Sequence, residues 1–100
     1  MEKQYTVYIL TNQNNRVLYI GSTSNLEIRV EQHKQKLIPG FTSRYNVNKL
    51  VYFEITNDAY AAVSRERQLK GWKRERKNRL VETLNPNWND LLEIPPLRLA

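Results

Sequence analysis

The sequence contains no cysteine, one histidine, three glycines and four prolines. Without cysteine there is no disulfide staple, no thiolate metal site and no cysteine nucleophile. A lone histidine excludes a multi-histidine zinc site built from one chain. The glycines form neither GxGxxG nor GxxxxGK[ST], so no nucleotide cradle is indicated. No HExxH is present. Ser22, His33 and Asp58 can be drawn as a triad, but no nucleophile elbow supports it. No paired-acid signature favours sugar hydrolysis. No apolar run approaches the roughly 18 residues of a membrane span, and no apolar segment of signal-peptide kind follows Lys3. An intracellular, cytoplasmic location is expected, with no membrane partner.

What is present is positive charge, unevenly placed. The 100 residues carry 16 Lys and Arg against 10 Asp and Glu, a formal net charge of +6. Between positions 65 and 79 stand Arg65, Arg67, Lys70, Lys73, Arg74, Arg76, Lys77 and Arg79, opposed only by Glu66 and Glu75. This stretch holds the whole excess, because the rest of the chain balances. Such a field attracts a polyanion and speeds encounter with nucleic acid. It also suits a merely solvated helix face. A membrane-surface helix would need a broad apolar stripe, which is missing.

The apolar share of 40% and charged share of 26% fit a globular domain near the lower size limit for a single core. Residues 5–10 read as a strand, 12–16 as a polar turn and 17–20 as a second strand, which predicts an antiparallel hairpin. Gly21 is expected to end that strand. The polar residues 22–25 can cap a helix over 26–37, closed by Ile38-Pro39-Gly40. Residues 41–48 read as a loop with aromatics, and 49–55 as the third and most apolar strand. Asn57 or Asp58 can cap a helix over 59–70, with Gly71 breaking or bending it before a further helix over 72–84. Asn85-Pro86 ends that helix, and 88–92 is expected to turn back on the core. The order β-β-α-β-α-α predicts an α/β chain of the α+β kind: a small three-stranded antiparallel sheet flanked by helices. One domain is expected over 1–93, followed by a C-terminal tail over 94–100.

Two polar intrusions mark candidate functional residues. On the first helix Leu26, Val30 and Leu37 share a sector with His33, and Arg29 stands at its edge, four residues before His33. A histidine in such a stripe is either a satisfied core residue or, beside an arginine, half of a cationic site able to touch phosphate. On the second helix Ala59, Ala62, Val63 and Leu69 outline an apolar face that contains Glu66. A carboxylate there needs a cationic partner or a metal. The basic run supplies the first, and Mg²⁺ completed by water and substrate phosphate is the second.

Taken together, these residues resemble the GIY-YIG nuclease superfamily. Thr6-Val7-Tyr8 stands for its first triplet, departing at two positions and keeping the tyrosine. Tyr19-Ile20-Gly21 matches its second in full. Leu26-x-x-Arg29-x-x-x-His33 is similar to the family's arginine helix. Glu66 is similar to its metal-binding glutamate, and Pro86-Asn87-Trp88-Asn89 to its terminal segment. Leu69-Lys70-Gly71-Trp72 and Asn85-Pro86-x-Trp88-x-Asp90-Leu91 resemble the small stand-alone members. The likeness spans about residues 4–92.

The resemblance implies metal-assisted hydrolysis of a phosphodiester, in DNA ahead of RNA, selective for structure more than sequence. Glu66 would hold one Mg²⁺ or Mn²⁺, and Arg29 would offset charge on the phosphate. Tyr8 would be the first-choice base and His33 the second. Tyr19 would orient water or phosphate. Gly21 and Asn89 would support the site, while the basic run contacts the backbone. The alternative is a non-catalytic nucleic-acid-binding module of the same fold, or a docking module completing a repair or targeting complex.

Overall fold

The computed structural model describes residues 3–92. Its elements are β1 (Tyr5–Thr11), β2 (Leu18–Thr23), α1 (Leu26–Lys34), α2 (Phe41–Tyr45), β3 (Lys49–Thr56), α3 (Ala59–Lys70) and α4 (Arg74–Leu84). The strands form one antiparallel sheet in the order β2-β1-β3. β1 is central, and its residues from Thr6 onward are all buried. That explains a strand with nearly no polar alternation: both of its faces are covered.

Local chemistry sets the boundaries. The side chain of Asn12 accepts from the backbone N–H groups of Arg16 (2.8 Å) and Val17 (3.1 Å), which closes the hairpin turn. Asn25 caps α1 through Ile28 N–H at 3.1 Å, and Asp58 caps α3 through Tyr60 N–H at 3.0 Å. On one face of the sheet Val7, Ile9, Ile20 and Val51 pack with Ala62, Leu69 and Val81 of α3 and α4. On the other, Tyr8, Leu10 and Leu50 pack with Val30 of α1 and with Val47. The segment after α4 returns to the sheet as expected. Asn85 Nδ2 donates to Val51 O at 3.1 Å, and Leu91 N–H donates to Leu50 O at 2.8 Å.

Several boundaries differ from the sequence expectation. β2 runs through Gly21 to Thr23, because pairing with β1 continues to Thr6. α1 stops at Lys34, and Lys36 turns away with φ 58°, leaving Leu37 63% exposed. The expected loop over 41–48 contains α2, a single turn closed by Asn46 in the left-handed region. Hydrophobic spacing carries no signal for a helix that short. The expected tail over 94–100 lies outside the described residues. Among the described residues no helix is long and apolar enough to cross a membrane.

Candidate functional site

Tyr8 on β1 pairs directly with Gly21 on β2. The phenol lies over the glycine, so that a Cβ there would meet Tyr8 Oη at 2.6 Å and Tyr19 Cε2 at 3.2 Å. The missing side chain is what lets the buried Tyr8 ring cross β2 toward the open edge of the sheet. Tyr19, two residues before Gly21, faces the same side and stands 6.3 Å from Tyr8 between ring centroids.

α1 brings His33 to the same place. Its ring lies 5.4 Å from Tyr19, and its Nε2 is 3.4 Å from Tyr8 Oη, the outer limit of a hydrogen bond. His33 Nδ1 and Thr42 Oγ1 are 2.9 Å apart. A consistent assignment has Nδ1–H donating to Thr42 and Nε2 accepting from Tyr8. Burial and the Arg29 charge both lower the His33 pKa below 6.5, so the ring is neutral at pH 7. Burial pushes the Tyr8 phenol well above its ordinary value of 10.0, and Tyr19 and Glu66 add to the rise. Arg29 opposes it without prevailing. Tyr8 is therefore a hydrogen-bond donor at neutral pH, and the neutral imidazole of His33 is the proton acceptor of the pair.

Glu66 comes from α3, around the β2 edge. It accepts from Ser22 Oγ at 2.6 Å and pairs with Lys70 Nζ at 2.7 Å, with its side chain 21% exposed. Burial raises its pKa, but Lys70, Ser22 and the charge of Arg67 outweigh that and hold the carboxyl below its ordinary range. The cationic partner left open by the sequence is thus present. Among the described residues no three His, Asp or Glu cluster as a metal cage. An ionised, part-exposed carboxylate still fits Mg²⁺ or Mn²⁺ if water and substrate phosphate supply the remaining oxygens. The sequence reading missed Ser22 and Thr42. Hydroxyls this common carry no signal until their partners are known.

The basic run divides by role. Arg65 holds Glu54 through Nε (2.9 Å) and Nη2 (2.8 Å) on the neighbouring strand. Arg74 donates to Arg16 O at 2.8 Å, and also to Asn15 O, clamping the hairpin turn to α4. Arg76 lies 3.9 Å above the Trp72 ring. Arg67, Lys70, Lys73 and Arg79 are exposed, as are Arg74 and Arg76 despite these contacts, and Lys77 is half-buried. Asn89 is exposed; its backbone pairs with Asn85, whose buried side chain ties the terminal segment to β3.

Comparison with known proteins shows the family and the fold. The GIY-YIG catalytic domain matches residues 4–79. A UPF0213 protein of Haloquadratum walsbyi is 34% identical over 82 residues, covering 82% of this chain and 91% of that protein. A UPF0213 protein of Staphylococcus haemolyticus is 33% identical over 82 residues, covering 82% of this chain and 98% of its own length. The solution structure of a UPF0213 protein from Bacillus halodurans superposes with a TM-score of 0.56 at 21% identity, covering 91% of this chain and 96% of that one, and so shares the fold. With its tyrosine pair, glycine, arginine helix and glutamate in this order, the chain belongs to the GIY-YIG family.

Proposed function

We propose that this chain binds the phosphate backbone of nucleic acid, DNA ahead of RNA, through the outer face of α3 and α4. One observation carries the reading. Although Glu54 holds Arg65, the hairpin turn holds Arg74 and Glu66 pairs with Lys70, the cations Arg67, Lys70, Lys73, Arg74, Arg76 and Arg79 all face solvent. Arg67 and Lys70 act electrostatically on Glu66, so this face borders the glutamate of the candidate site. Backbone contacts of this kind position a strand without reading its sequence. A partner that targets the domain would be needed for sequence selectivity.

A second reading, hydrolysis of the bound phosphodiester, is favoured by the convergence of Tyr8, Tyr19, Arg29, His33 and Glu66 at the β2 edge. Glu66 would hold one Mg²⁺ or Mn²⁺, which when bound supplies Lewis-acid stabilisation of phosphate charge. Arg29 would offset charge growing on the phosphate. Tyr8 would take a proton from the attacking water as it passes its own to His33 Nε2, while Thr42 fixes the imidazole. Tyr19, the more exposed ring, would orient the phosphate.

A panel of labelled duplex, single-stranded, flap and four-way-junction DNAs, with RNA counterparts, separates the readings. Each is scored for binding and for cleavage with Mg²⁺, Mn²⁺ or EDTA, beside Glu66→Gln. Salt-sensitive binding supports the first reading. Metal-dependent cuts lost in Glu66→Gln add the second. Binding without cuts leaves the first alone, and no binding to any substrate overturns both.

A further inference from the structure

We infer that the exposed aromatic pair of α2, Phe41 and Tyr45, is a stacking platform for unpaired bases, which makes single-stranded or frayed nucleic acid the favoured substrate class of the candidate site beside it. The inference rests on the nucleic-acid reading above. Phe41 and Tyr45 are four residues apart on one turn of helix, with ring centroids 5.0 Å apart and planes at 52°. Each is 47% exposed, although the pair holds two of the chain's ten aromatic side chains. An aromatic pair serving only the core would be expected to turn inward. Between them Thr42 is buried and holds His33 Nδ1 at 2.9 Å. The pair therefore rides on the element that positions His33, with Phe41 one residue and Tyr45 three residues from that contact.

The occupant follows from charge and shape. Arg44 is exposed on the same turn, so the patch carries a positive charge beside its two rings. An anionic partner that also presents flat apolar faces is a nucleic acid with unstacked bases. A duplex presents its phosphates and buries its base faces, so α2 would add nothing to duplex binding. Bases splayed onto α2 would be read by their faces, which every base has, and tolerance of sequence is expected. The backbone favours a fixed platform. Gly40 enters the turn at φ 113° and Asn46 leaves it at φ 57°, and the Asn46 N–H closes on Thr42 O.

The test compares wild type with Phe41→Ala/Tyr45→Ala and with Phe41→Leu/Tyr45→Leu, which keeps apolar bulk but no ring. Affinity for a labelled oligo-dT and for a blunt duplex is measured by fluorescence anisotropy, with circular dichroism reporting the fold. Wild type is expected to prefer oligo-dT. Both double variants should lose on the order of tenfold affinity for oligo-dT and keep duplex affinity within about twofold. Phe41→Tyr/Tyr45→Phe, which keeps both rings, should restore it. Equal loss on both probes, or retention of oligo-dT affinity in the Leu variant, overturns the platform while leaving backbone binding in place. Failure of wild type to bind either probe overturns the nucleic-acid reading and the platform with it. A patch that instead pairs two copies of this chain would show as a mass that doubles with concentration and falls in the Leu variant, which also overturns the inference.

Discussion

The Tyr8 phenol occupies the space that a side chain on Gly21 would need: a Cβ at Gly21 would stand 2.6 Å from Tyr8 Oη and 2.7 Å from its Cζ. The two residues are register partners on β1 and β2. One strand thereby hands its tyrosine across the next, toward the edge where Ser22 meets Glu66.

Gly21→Ala should therefore lower stability by about 1–3 kcal/mol, because a rigid, buried ring must tilt to admit one methyl. Where space allows, the same exchange gains stability by restricting the unfolded chain. Denaturant midpoints for Gly21→Ala and wild type measure the difference. A midpoint at or above wild type would contradict the close approach.

Arginines of the basic run should split into two groups. Arg65→Met removes the partner of Glu54, which also accepts from Tyr52 at 2.6 Å, and should cost about 1–2 kcal/mol of stability. Arg67→Ala, on the exposed face, should stay within about 0.5 kcal/mol of wild type. Thermal or urea unfolding of the two variants checks this, and equal losses would remove the distinction.

Asn85→Ala should cost about 1–3 kcal/mol, since the buried amide serves Val51 O, Asn89 O and Asn89 N–H together. Asn89→Ala, exposed at its side chain, should cost much less. Urea midpoints for both would show it. The reverse ranking would mean that the terminal segment is held by Asn89.

His33 gives the stability a pH dependence of definite sign. Its pKa is lowered on folding, so between the folded and unfolded values the unfolded chain binds more protons. Stability contributed by the neutral ring is complete above the unfolded value near 6.5 and is lost as pH falls toward the folded one. Glu54 and Glu66 act in a separate window: their pKa values are depressed, so their contribution holds above the ordinary carboxylate value and is lost as pH falls through the folded one. Unfolding free energy measured from pH 7.5 to 5.5 should fall with acid, and His33→Gln should flatten that slope. An unchanged slope in His33→Gln would place the titrating group elsewhere.

Much of the fold was legible because it rests on burial. The apolar runs of β1 and β3 and the long basic helices follow from spacing, and capping chemistry narrowed the two caps to residues 22–25 and to Asn57 or Asp58, of which the fold uses Asn25 and Asp58. Arg29, His33 and Glu66 stood out as polar residues set in apolar stripes, whereas the tyrosine pair and Gly21 stood out only through the resemblance to the GIY-YIG family. Three features were not legible. The α2 turn is too short for periodicity. Ser22 and Thr42 acquire their roles only from partners that lie 44 and 9 residues away. The commitment of Arg65 and Arg74 to Glu54 and the hairpin turn depends on tertiary placement, which a charge count cannot see.

The most direct measurement of the central claim is the salt dependence of DNA binding by wild type and by Arg67→Ala/Lys73→Ala/Arg79→Ala. Wild-type affinity should fall linearly on a logarithmic scale as salt rises, with a slope of about 0.9 per phosphate neutralised, and the triple variant should lose roughly three such contacts. A folded triple variant with unchanged affinity and slope would contradict the account, as would a wild-type protein that binds no DNA at low salt.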